Sequence, residues 1–171
     1  MKHAGFTRAV IEAYQMRADG HTPPDNTVDK DTNPKDAIGS KKLPLHLVPS
    51  SGIALTATAF LEGALKYGKY NWRIAGVRAS IYLDAMHRHI AKWQNGEDVD
   101  PETMVHHLAS VCACAMIIMD AQLCEKLTDD RPPRAHVADL VDMLAAGNVQ
   151  RLQNQFKDHH PHQYTIADGA E

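Results

Sequence analysis

The sequence predicts an all-α chain, folded as an antiparallel arrangement resembling a four-helix bundle. Three observations predict it. Apolar residues recur at three- and four-residue spacing in several long segments. No stretch alternates apolar and polar residues over the length of a strand, and no internal repeat is present. The connections are short and rich in Gly, Pro, Asn and Asp, which suits antiparallel neighbours. The 171 residues are 44% hydrophobic and 23% charged, with a net charge of -3, the composition of a globular chain rather than a disordered or membrane-spanning one. That length suits one domain with a core large enough to need no staples.

The elements follow in order. Residues 1–36 read as an N-terminal arm: a short amphipathic helix over Lys2–Arg17, then a polar linker, DGHTPPDNTVDKDTNPKD. The helical core is expected over 37–128, opening on an extended piece bounded by Pro44 and Pro49. A first helix is predicted from about Ser51 to Tyr67, capped by Ser50 or Ser51 and stopped at Gly68. A loop carrying Trp72 leads to Ser80, a good cap for a second helix over Ile81–Gln94 that ends at Asn95-Gly96. Pro101 suits a first helical turn and Glu102 a helix N-terminus, so the third and most apolar helix is placed over Glu102–Lys126. Residues 129–171 are read as a C-terminal helix, about Ala135–Phe156 and interrupted by Gly147, followed by a loose tail.

Several function classes are excluded early. There is no run of eighteen apolar residues and no signal-peptide pattern at the start, so neither a membrane span nor export is expected. The acidic balance argues against a nucleic-acid partner. Cys112, Cys114 and Cys124 form no CxxC pair and read as reduced, core-packed residues of a cytoplasmic protein. Walker, GxSxG and GxGxxG motifs are absent.

Four constellations could carry chemistry. Glu97, Asp98, Asp100 and Glu102 crowd four carboxylates into six residues, the donor type that hard divalent cations take. The plain alternative is a solvated loop with helix capping. Glu62 sits inside an otherwise apolar helix, four residues before Lys66, and Asp84 stands four before Arg88; each pair has the spacing of a surface ion pair. A carboxylate projecting into a bundle, by contrast, needs a partner or a metal. The eleven histidines include His87, His89, His106 and His107, none at the spacing of an HxxxH zinc pair. Lys35, Lys42, Lys66, Arg73 and Arg88 interleave with Tyr67, Asn71 and Trp72. Such cations suit phosphate oxygens and such rings suit a nucleobase.

The blocks TNPKDAIGSKKLPLHLVP, EGALKYGKYNWR, YLDAMHRH, NGEDVDPE and HHLAS, in that order over about residues 31–125, resemble a phage and bacterial family of dATP/dGTP diphosphohydrolases, related to MazG-like all-α nucleoside triphosphate pyrophosphohydrolases. The resemblance implies metal-dependent cleavage of a purine deoxynucleoside triphosphate, dGTP or dATP, to the monophosphate and pyrophosphate. One branch, in phages that replace adenine by 2-aminoadenine, turns dGTP into dGMP for that pathway. It also implies two or three Mg²⁺ or Mn²⁺ ions, a homodimer or homotetramer, and work in the cytoplasm of the host cell. MazG-like chains hold their ions with ExxE and ExxD pairs on their helices, and neither pair stands on the predicted helices here. The nearest carriers are Glu62 and Asp84, expected to be catalytic, with Glu97, Asp98, Asp100 and His107 as further metal ligands. Lys35, Lys42, Lys66, Tyr67, Asn71, Trp72, Arg73 and Arg88 are expected to bind substrate. Two other readings stay open: a histidine-aspartate metal phosphohydrolase, and a non-catalytic helical phage protein.

Overall fold

A computed structural model describes Lys35 and residues 42–169. The expected N-terminal helix and arm, Lys35 apart, lie outside the described residues. The chain is mostly helical, as expected, and divides after Asp130 into two compact units.

In the first unit, a single 3-10 turn over Leu45–Leu47 leads to helix α1, Ser50–Tyr67. Neither serine caps it. Pro49 occupies the cap position with φ already at -64°, and its carbonyl accepts from the Ile53 amide at 3.1 Å. Gly68 stops the helix at φ 88°. The predicted loop around Trp72 holds a short helix, α2, Asn71–Ala75. Gly76 follows, then β1, Val77–Arg78.

Helix α3, Ala79–Gln94, begins two residues earlier than expected, and Ser80 is not its cap. The acceptor arrives from fifty residues away: Asp130 takes the Ser80 amide at 2.8 Å and the Ser80 hydroxyl at 2.6 Å. These bonds hold the Asp130 carboxyl below the usual carboxylate range. At the other end Asn95 and Gly96 close the helix as expected, Asn95 folding its side chain back to the Ala91 carbonyl at 2.7 Å.

Helix α4, His107–Leu123, starts five residues later than Glu102. The Asp100 carboxylate captures the amides of Glu102 and Thr103, both at 3.1 Å, and turns the chain there. Val99 then pairs with His106, and the His106 ring caps α4 by accepting from the Leu108 amide at 3.1 Å. After α4, Glu125 adopts φ 57° and the Lys126 amide reaches back to the Ala121 carbonyl at 2.8 Å. This feeds β2, Leu127–Thr128, which pairs in parallel with β1, Val77 opposite Leu127 and Arg78 opposite Thr128. This two-residue seam is too short to leave an alternating pattern.

Helix α4 packs against both α1 and α3. Its contact face is built from small residues: Ala109, Ala113 and Ala121 are buried, with Ala59 of α1, Ala79 of α3 and Val105 before α4. Small side chains let the helix axes approach closely, and Phe60 fills the space beside them. The cysteines depart from the core expectation. Cys112 and Cys124 are exposed and only Cys114 is half-buried, because alanines occupy the inward stripe of α4.

The second unit carries α5, Val137–Leu144, and α6, Gln150–Gln155, joined through a π-helical turn over Ala145–Val149. Gly147 lies in that turn, where the sequence places an interruption. Among the described residues no helix is long and apolar enough to cross a membrane.

Candidate active site

A cavity of about 460 Å³ opens where α1, α2, α3 and α4 face one another in the first unit. That is within the range of pockets that hold small ligands. Six residues singled out from the sequence line it: Glu62, Lys66, Tyr67, Asn71, Trp72 and Arg88. Their grouping follows from helix geometry. Glu62 and Lys66 are one turn apart on α1, and Arg88 comes from the face of α3 that also presents Tyr82, Ala85 and His89.

Lys66 donates to Glu62, and that bond raises the ammonium pKa above its ordinary value. The cavity therefore presents two cations, Lys66 and Arg88, near one carboxylate. On the α2 side the Trp72 indole stands between Phe60 and Tyr70, its centroid 5.9 Å and 5.6 Å from theirs. Asp120 of α4 fixes α2 in place. Its carboxylate accepts from Trp72 Nε1 at 2.6 Å and from two Arg73 nitrogens at 2.7 Å each. The Arg73 and Trp72 bonds hold the Asp120 carboxyl below the usual carboxylate range. Arg73, expected on phosphate, is thus engaged as a bidentate clamp and lies off the cavity wall.

Other expected residues also stand elsewhere. Asp84, Lys35 and Lys42 are exposed and do not line the cavity. In the acidic loop, Asp100 is engaged by the amides described above, and Asp98 is exposed while its carbonyl receives the His107 amide at 2.9 Å. Glu97 accepts from Lys92 at 3.0 Å and from His107 Nε2 at 2.7 Å, and these partners hold its carboxyl below the usual range. His107 is fully buried and its other ring nitrogen, Nδ1, lies 2.9 Å from His89 Nδ1. With both nitrogens engaged, His107 has no lone pair left for a metal ion. Among the described residues no three His, Cys, Asp or Glu side chains converge as a metal site. The lining residues fit an ion carried by the phosphates of a substrate and touched by Glu62, which is the usual manner of Mg²⁺. They do not form a two- or three-ion cage by themselves.

Sequence reasoning missed His89 as a cavity residue, and with it Tyr82 and Cys114. Burial pushes the His89 imidazolium down in pKa, with His107 adding to the shift, and pushes the Cys114 thiol up. One signal was present. His107 opens the most apolar helix of the chain between Val105 and Ala109, a setting in which a polar ring must be buried and bonded.

The family described as "dATP/dGTP diphosphohydrolase, N-terminal" matches residues 32–131, a span that includes every helix around the cavity. A curated protein of Salmonella phage PMBT28, named dATP/dGTP diphosphohydrolase, is 32% identical over 90 residues, which are 53% of this chain and 30% of the relative. The chain thus spans under a third of that relative's length. No solved structure matches. The matched span and its cavity lead to one conclusion: the chain belongs to the dATP/dGTP diphosphohydrolase N-terminal family.

Proposed function

We propose that this chain hydrolyses a purine deoxynucleoside triphosphate, dGTP or dATP, to the monophosphate and pyrophosphate, with Mg²⁺ or Mn²⁺ as the activating ion. The observation that carries the reading is the cavity itself, whose lining brings together Lys66, Arg88, Glu62, Trp72, Tyr67 and Asn71 within the matched family span.

The chemistry divides between the charged and the aromatic side chains of the lining. Lys66 and Arg88 bind phosphate oxygens and offset the charge that builds on the departing group, an interaction that strengthens in a water-poor cleft. The Trp72 and Tyr67 rings hold the base, and the Asn71 amide offers both a donor and an acceptor to its edge. The divalent ion, when bound, polarises phosphoryl oxygen and lowers the pKa of water. Glu62 is the lining carboxylate that would hold it. Glu62 pairs with Lys66, so a bound ion would take the carboxylate and leave the Lys66 ammonium to bind phosphate. The reading implies a role in remodelling a purine deoxynucleotide pool.

The test is a panel of the four deoxynucleoside triphosphates with magnesium or manganese, with products resolved by chromatography. The expected result is purine monophosphate plus pyrophosphate, lost on chelation. Deoxynucleoside plus triphosphate would instead support a histidine-aspartate type of phosphohydrolase, and no product with any nucleotide would support a non-catalytic protein.

The same reading extends to assembly as a homodimer or homotetramer. Ile53, Leu55, Leu61 and Leu65 leave large apolar surface exposed along α1. Apolar surface of that extent on one helix favours a protein neighbour. A second chain is also a source for carboxylates that one chain does not bring to the cavity. Sedimentation equilibrium is expected to return at least twice the 18.9 kDa chain mass; a monomer at micromolar concentration rejects this part.

A further inference from the structure

We propose that His89 is the proton acceptor for the attacking water, and that Glu97 and His107 position it by fixing its tautomer; this rests on reading the chain as a nucleoside triphosphate hydrolase.

The ring hydrogens follow one chain of contacts. Glu97 is an ionised carboxylate and accepts only, so His107 Nε2, 2.7 Å away, carries the hydrogen. A neutral His107 then has its lone pair on Nδ1. That lone pair faces His89 Nδ1 at 2.9 Å, so His89 must donate from Nδ1. The lone pair of His89 is left on Nε2, the ring nitrogen with no partner among the described residues, on a side chain that lines the cavity. The relay thus connects the charge of a partly exposed loop carboxylate, through the buried His107 ring, to an acceptor at the cavity wall. Lys92 anchors the far end by donating to Glu97 at 3.0 Å.

Proton transfer balances simply. The water gives a proton to His89 Nε2 as its oxygen bonds to the attacked phosphorus. The bond linking the α- and β-phosphoryl groups breaks, and its electron pair leaves on the bridging oxygen. Positive charge on the His89 ring is stabilised through His107 by Glu97, and the proton later returns to solvent. The same arrangement explains why a fully buried histidine begins α4: its position on the first turn lets one ring reach both the loop carboxylate and α3. The two other basic side chains in the cavity, Lys66 and Arg88, are cationic and bind phosphate, which leaves His89 as the neutral nitrogen base of the lining.

The experiment combines kinetics with a spectroscopic readout on the full chain. In the wild type, ¹⁵N-edited spectra of the histidine rings are expected to show the Nδ1–H tautomer for His89 and the Nε2–H tautomer for His107. The opposite assignment at either ring overturns the proposal. His89→Gln is expected to lower kcat by about 10²–10⁴-fold, the usual worth of a positioned base, with KM within about threefold. Glu97→Ala is expected to lower kcat by about tenfold, and Glu97→Gln, which retains an acceptor for His107, to recover most of that loss. Circular dichroism checks that each variant folds. Normal kcat in folded His89→Gln, or Glu97→Gln no better than Glu97→Ala, overturns the relay while an active wild type leaves the hydrolase reading standing. A wild type inert toward all four nucleotides removes both.

Discussion

Glu62→Gln is expected to lower kcat/KM for the purine triphosphate by about 10²–10³-fold, the worth of several kcal/mol of charge stabilisation at the reacting phosphate. The substitution is nearly isosteric. It keeps an acceptor for Lys66 at the same place on α1 and removes only the charge. Its effect on folding is therefore small, and the loss reads the carboxylate's work on the metal-bound substrate. Lys66 changes with it, since the Glu62 hydrogen bond and its charge raise the ammonium pKa, and an uncharged amide acceptor raises it less. Asp84→Asn is the informative comparison. The family resemblance puts Asp84 in the chemistry, whereas the fold leaves it exposed and off the cavity wall. A loss under tenfold at Asp84 is expected from a cavity complete within one chain. A loss as large as that at Glu62 would mean that Asp84 serves a cavity on a neighbouring chain, and near-normal rates in both variants would move the chemistry out of this cavity. Steady-state kinetics with magnesium at fixed free concentration decide among these outcomes.

What the sequence made legible, and what it hid, divides by the range of the interaction. The end of α1 at Gly68 and of α3 at Asn95-Gly96 are local events, set by residues next to the break, and both stand where periodicity and turn chemistry put them. Glu62 and Lys66 share a face for the same local reason. The start of α4 was misread because Pro101 and Glu102 carry the local marks of a helix N-terminus, while the Asp100 side chain outcompetes the helix for the amides of Glu102 and Thr103. Ser80 looked like a cap and is instead held by Asp130. Arg73 looked like a phosphate ligand and is held by Asp120, forty-seven residues away. The histidines show the limit most clearly. Comparing His87 with His89, and His106 with His107, asks about partners on one helix. The contact that forms joins His89 to His107 across two helices, and no spacing rule within a helix encodes it.

Gly76→Ala is expected to destabilise the chain by about 2–4 kcal/mol and to lower Tm by about 5–15 °C. Gly76 holds φ 77° and ψ 171°, a backbone conformation open almost solely to glycine. Space forbids a side chain as well. A Cβ at Gly76 would lie 2.8 Å from the Lys126 carbonyl oxygen, and that oxygen is backbone already committed to the Val77 amide at 2.9 Å. Relief requires the β1–β2 seam to part, and the seam ties the entrance of α3 to the exit of α4. Gly63 supplies the opposite sign. It lies inside α1, and a Cβ added there would meet nothing within 4 Å, so Gly63→Ala is expected to stabilise by up to about 1 kcal/mol through the helical preference of alanine. Thermal unfolding followed by circular dichroism compares the two. Equal and small shifts would mean that the seam yields without cost. A large loss confined to Gly76 means that the two-residue seam, the least conspicuous element of a helical fold, carries the tie between the entrance of α3 and the exit of α4.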